Sequence, residues 1–230
     1  MFIPITKVKA ILDALITLIR SDYDAAIANG TETECFLYRV LNGSALGDFD
    51  FYEQGVNIFV RTDASARQIQ TRMGFDLGTS TLPTIYVHQP NEAMRGVNTI
   101  GFGYDTNEFY TNADQSMVDK LFRGFGGTFE YVITSVNVME TILIYEVLHA
   151  ALISSIDTFD EYFNNITFTG KELIAKSEQI PDPLFIKCIQ LDVDYIKQVP
   201  RLTTPDQLIT MVEFNQPTIY TKDPIGGELI

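Results

Sequence analysis

The chain has 230 residues, a size that buries about 70% of its unfolded surface without help from disulfides or metals. With 46% hydrophobic and 20% charged residues it has the composition of a globular domain, and two cysteines, Cys35 and Cys188, are too few for a secreted disulfide scaffold. Thirty acidic against 16 basic residues leave a net charge of −14; this disfavours a grip on nucleic-acid phosphates, because counterion release rewards only Lys and Arg.

The longest apolar stretch, 136–156, carries Asn137, Glu140, Glu146 and His149, too many polar groups for the middle of a bilayer. Lys7 and Lys9 precede an apolar run and Ala26-Ile27-Ala28 has the outline of a cleavage site, yet Asp13 interrupts the run and Arg20, Asp22 and Asp24 follow it. A chain that is intracellular, or assembled inside a cell, is expected.

In chain order, Val8, Ile11, Leu12, Leu15, Ile16, Ile19 and Tyr23 recur at helical spacing and predict an amphipathic helix over 5–28, stopped at Asn29-Gly30. Residues 34–41 fit a strand or a short helix, and Asn42-Gly43 is a turn signal. Val56, Ile58 and Val60 alternate, which predicts a strand over 55–61. The polar stretch 62–81, with Arg67 and Arg72, reads as a long loop suited to contacting a partner. A strand is predicted over 82–88, ended by Pro90, followed by an excursion of turns over 91–115.

After Gly126-Gly127, read as a hairpin or bulge, residues 128–136 alternate as a half-buried strand. Asn137 with Glu140 three positions on resembles a capping box and opens a helix over 138–156 that is apolar around most of its circumference, hence central. A short strand is predicted over 163–169 with Gly170 as its turn, and the clearest strand over 184–197. Prolines 205, 217 and 224 and Gly226-Gly227 then break up short apolar pieces (208–212, 218–220), an arm with too little apolar mass for a core of its own. The expected organisation is one α+β domain over 1–199, with loop excursions at 61–81 and 91–127, and an extended arm over 200–230.

No catalytic or cofactor signature is visible. Glu146 and His149 form one Glu-x-x-His where a di-iron site needs two, so a helix residue with a polar tip is the favoured account. His88 lacks a Cys or His at ligand spacing. Gly170-Lys171 lacks the first glycine and the final Ser or Thr of a phosphate loop, and Gly124, Gly126 and Gly127 precede a strand instead of opening a helix. Asp192 and Asp194 share a strand face, where a solvated polar surface is a stronger account than a cation site. No catalytic residue, cofactor or metal is expected.

The order of elements resembles the tail-terminator and neck-ring proteins that form the head–tail connector of tailed bacteriophages. The likeness rests on the helix over 5–28, on 67–90 where an arginine-bearing loop enters Leu82-Pro83-Thr84-Ile85-Tyr86-Val87, and on 129–195 with Ile166-Thr167-Phe168-Thr169-Gly170-Lys171-Glu172-Leu173. It implies an α+β fold, a mixed or antiparallel sheet packed against the N-terminal helix and a buried central helix, with long loops and an extended C-terminal arm. It also implies a virion structural protein, not an enzyme, assembled in the host cytoplasm with six or twelve identical subunits in a ring. Adjacent neck, portal-side or tail proteins would be its partners, and DNA would pass through without specific binding and without a membrane nearby.

On that reading Arg61, Arg67 and Arg72 make inter-subunit ion pairs, and the arm, with Leu208, Ile209 and Tyr220, straps a neighbour. A solvated loop is an equal account of the arginines. Two alternatives stay open: an intracellular small-molecule-binding or enzymatic α+β domain with no recognisable site, and a monomeric acidic inhibitor or DNA mimic. Against the last, the carboxylates are scattered along the chain.

Overall fold

A computed structural model describes residues 3–62, 67–74, 82–94, 107–111, 117–172 and 184–200. Helix α1 (Pro4–Asn29) starts with Pro at its first position, where the missing N–H costs nothing. It ends at Gly30, whose φ of 67° lets Thr31 N donate to Ala26 O and Gly30 N to Ile27 O, a Schellman close. Its inward stripe, Val8, Leu12, Ile16 and Ile19, is buried.

Helix α2 (Phe36–Leu41) settles the open choice over 34–41 in favour of a helix. The Cys35 sulfur accepts from Tyr38 N, and Asp22 of α1 accepts from Phe36 N at 2.6 Å. A two-rung hairpin, β1 (Ala45–Leu46) with β2 (Phe49–Asp50), leads into α3 (Phe51–Phe59). Here the expected strand over 55–61 is corrected to a helix. Asp50 accepts from Tyr52 N and Glu53 N, an N-cap that commits the next turn to helix. Val56, Phe59 and Val60 then share one face at helical spacing, while Gly55 lets α3 approach α2 closely, since a Cβ there would lie 2.6 Å from Leu41 Cδ1. Arg20 of α1 donates to Phe59 O at the end of α3.

The six-stranded sheet has the order β3-β4-β6-β8-β7, with β5 paired to β6 beside this path. Strand β3 (Gln70–Met73) lies parallel to β4 (Thr84–Met94), and β5 (Asn107–Thr111), β6 (Met117–Ser135), β7 (Asn164–Glu172) and β8 (Phe185–Pro200) pair antiparallel. The sheet is mixed and the fold is α+β, with α1 and α4 (Val138–Ser154) packed on the sheet face that carries Phe129, Tyr131 and Ile133. The short helix α5 (Ile156–Asp160) buries Phe159 against Phe163 and Phe168.

Several expected breaks lie inside strands. Part of the predicted loop over 62–81 is strand β3. Its Thr71 donates to Asp13 of α1 at 2.6 Å and accepts from Lys9 at 2.9 Å, so the edge strand is tied to the helix. Pro90 does not end β4: the register shifts between His88 and Asn91 and pairing resumes to Met94, because a bulge spares the ladder the N–H that proline lacks. Of the excursion over 91–127, residues 91–94, 107–111 and 117–127 are strand, and Gly126 and Gly127 are paired with Asp194 and Val193 inside β6, not in a turn.

Gly170 pairs with Ile189 inside β7, not at its end. A Cβ at that glycine would sit 2.0 Å from the Tyr145 hydroxyl, so α4 meets β7 across bare backbone. The long helix stops at Ser154, where Ser155 turns the chain into α5. The arm over 201–230 lies outside the described residues.

Gly170→Ala is expected to lower stability by about 1–3 kcal/mol through overpacking. Tyr145→Phe in the same chain should recover part of the loss, because it removes the nearest atom; urea unfolding of the two single variants and the pair measures the coupling.

Candidate functional site

The arginines expected at a subunit interface take different places. Arg67 Nη1 lies 2.7 Å from Glu140 Oε1, and the second oxygen of that buried carboxylate accepts from Ser135 Oγ at 2.5 Å. Ser135 Oγ in turn accepts from Asn137 N at 3.2 Å. Arg67, expected at a subunit interface, thus has a partner inside its own chain. Its guanidinium is committed within the chain, where it keeps the Glu140 carboxylate paired at the junction of β6 and α4, and a buried carboxylate left alone is costly.

Asn137 caps α4 by accepting from Met139 N, whereas Glu140 turns to Ser135 and Arg67 in place of closing a capping box. Arg72 donates to Gln70 on β3 at 3.2 Å, and Arg61 is exposed beyond α3. Leu208, Ile209 and Tyr220 lie outside the described residues.

A polar and aromatic cluster that the sequence reading did not single out closes the helix-covered face of the sheet. Before the bulge, Ile85 and Val87 of β4 face the core; after it, the exposed Glu92 falls on that same side of the sheet, opposite Gly127. The Tyr195 ring lies across Gly127, where an added Cβ would stand 2.8 Å from it, and its hydroxyl donates to Glu92. Lys197 pairs with the same carboxylate and sits 4.9 Å from the centre of the Phe125 ring.

Burial alone would raise the Glu92 carboxyl, but hydrogen bonds from Lys197 and Tyr195 and the Lys197 charge together outweigh it and hold the group below its ordinary value of 4.5. The Tyr195 phenol is pushed up, by burial first and by Glu92 second. Only the long strand carrying Tyr195 and Lys197 was legible beforehand; Gly127 read as a hairpin or bulge and Glu92 as part of an excursion of turns, and the parity switch at Pro90 was the missing signal.

The remaining candidates have ordinary partners. Asp192 accepts from Thr128 at 2.6 Å and Gln190 at 2.5 Å, and Asp194 accepts from Asn165 at 2.7 Å. Glu146 is exposed and His149 stacks on Tyr145 with ring centres 5.6 Å apart. His88 Nδ1 is 4.0 Å from Glu130. Cys35 and Cys188 are free thiols, both buried, and burial pushes the Cys188 thiol up to about 12, which leaves it unreactive at neutral pH. Among the described residues no three His, Cys, Asp or Glu side chains gather in a metal-holding arrangement, and no helix is long and apolar enough to cross a membrane.

One surface is left open. Ala10, Ala14 and Leu18 follow one another along the outer side of α1 and, with Thr158 and Tyr162 opposite and Lys7 at the N-terminal end, line an apolar groove of about 290 Å³. Leu18 is 62% exposed. Small alanines make the floor shallow, and Lys7 Nζ lies 4.6 Å from the centre of the Tyr162 ring, so the rim is cationic. The groove holds no convergent polar groups of the kind that orient a small substrate.

Arg67→Ala is expected to destabilise the chain by about 1–3 kcal/mol, the cost of leaving a buried acceptor without its donor, read by urea unfolding. Glu92 has a depressed value in the folded chain, so its contribution is present above the ordinary carboxyl value of 4.5 and lost as pH falls through the lower folded value. Glu92→Gln should therefore be less stable than the parent at pH 7, by about 0.5–1 kcal/mol for so exposed a pair, and the difference should shrink as the medium is made acid enough to protonate Glu92, read by thermal unfolding.

No protein-family model matches the chain, and no curated protein matches it.

Proposed function

We propose that the chain is a virion structural subunit that closes into a ring at the head–tail junction of a tailed bacteriophage, as a tail terminator or neck protein around the DNA channel, and that it performs no reaction. The observation that carries this reading is the two-sided apolar character of α1. One stripe, Val8, Leu12 and Ile16, is buried against the sheet, and a second, Ala10, Ala14 and Leu18, is exposed along a groove. Exposed apolar grooves of this kind mark association surfaces. A contact between two different patches of one subunit repeats head to tail and closes into a ring when the rotation permits.

Two further features support it. The α+β fold, with a mixed sheet covered by the N-terminal helix and a central helix, agrees with what the resemblance implies. A net charge of −14 suits a conduit that repels passing DNA. Because Arg67 is used internally, the ring contact in this proposal is apolar first, with charge at its rim.

Native mass measurement of the purified chain should give a closed ring of six or twelve copies; a persistent monomer at working concentrations overturns the proposal. Removing the residues after Pro200 should leave a folded monomer by circular dichroism and sedimentation, and full rings from the shortened chain would exclude the arm from assembly.

A further inference from the structure

The two most exposed large apolar side chains among the described residues are Leu46 and Leu18, at 64% and 62%. They stand on surfaces of opposite shape. Leu18 belongs to the wall of the α1 groove, and Leu46 ends β1 beside the Gly47-Asp48 turn of the two-rung hairpin. Every residue from Asn42 to Asp48 is exposed, so the hairpin stands out as a small knob.

Two rungs are too little pairing to hold a shape alone. Here the base of the hairpin is fixed. Phe51 N donates to Ser44 O at 3.3 Å, the Phe49 and Phe51 rings pack edge-on with centres 5.0 Å apart, and Asp50 caps α3. Gly47, with a φ of 61°, supplies the left-handed residue that a tight hairpin turn requires. An apolar tip held in this way is ordered before it binds, so docking it costs little further entropy.

Charge indicates where the knob fits. Lys7 is the one charged residue that lines the groove. The hairpin carries the opposite sign: Asp48 is exposed in its turn, two residues from Leu46, Asp50 and Glu53 follow, and no basic residue lies between Arg39 and Arg61. One and the same fold leaves both Leu46 and Leu18 uncovered, so the chain does not join its own knob to its own groove.

We infer that the β1–β2 hairpin of one subunit inserts Leu46 into the α1 groove of the adjacent copy, with Asp48 set against Lys7. This rests on the ring proposed above and names the contact that closes it. Knob and groove are different patches, so each copy offers one and receives one, head to tail. Ala10 and Ala14, small side chains on the groove floor, leave the room that a leucine fills.

The full-length chain tests this directly. Leu46→Ser, at an exposed position, should raise the concentration for half-assembly by about tenfold, whereas Met73→Ser, at an exposed apolar position on β3, should leave it unchanged. Lys7→Glu and Asp48→Lys should each weaken assembly at low salt, and the two together should restore it. Cys35 and Cys188 are buried, so introduced cysteines report alone. A mixture of Ala14→Cys chains and Leu46→Cys chains should yield a covalent dimer with a short bismaleimide, and neither chain by itself should.

Rings of normal mass and concentration dependence with Leu46→Ser, no recovery in the double charge variant, or Leu46→Cys chains that link only to one another overturn the docking and leave the ring proposal standing. Monomers from the unaltered chain overturn both.

Discussion

Strict alternation along β6 organises the molecule. Over its 19 residues this strand is paired with β8 on one edge and with β4 and then β5 on the other. Side chains change face at every residue, so a single registration commits Phe129, Tyr131 and Ile133 to the helices and Glu130 and Val132 to the opposite surface. Helix α4 follows at once, and its buried Leu143, Ile144, Val147 and Leu148, each worth roughly 1.5–3 kcal/mol when covered, fix the layer above the sheet. Neighbouring strands inherit the same constraint. Where β4 must depart from it, at Pro90, a bulge takes up one extra residue, and Glu92 arrives on the sheet face shared by Gly127 as a result.

The elements whose pattern had one physical explanation were legible in the amino-acid order. The stripe of α1 and its Gly30 close, the alternation of 128–135, the apolar α4 behind Asn137 and the long β8 all read correctly, as did the α+β class. Where two periods fitted equally, reading went astray. Val56, Ile58 and Val60 alternate, while Val56, Phe59 and Val60 fall at helical spacing, and the deciding group was Asp50, six positions before Val56, followed by Glu53. Glycine and proline were read as punctuation, yet Gly127 and Gly170 sit in mid-strand because rings from other elements occupy the space a side chain would need. Such vacancies are tertiary facts that no local window contains.

The same distinction applies to charge. Arg67 stands in a polar stretch, and its composition alone fits a solvated or inter-subunit role. Its partner lies 73 residues away, at the head of α4. The Glu92, Tyr195 and Lys197 cluster is likewise assembled from strands far apart in sequence, across a glycine. In both places the acidic chain uses carboxylates as internal anchors, so its net charge overstates how much negative surface is left for a partner. The groove on α1 was hidden for a different reason. The inward stripe of the helix is so regular that the outward alanines pass for neutral filler.

The first turns of α1 carry two attachments at once. Lys9 and Asp13 hold Thr71 of β3, while Lys7, Ala10 and Ala14 border the groove one helical face away. Strand β3 begins three residues after Arg67, which grips the head of α4. A load placed on the outside of α1 is thus shared, through one short edge strand, with the start of the central helix, and neighbouring building blocks linked there would feel each other's strain along a continuous mechanical line.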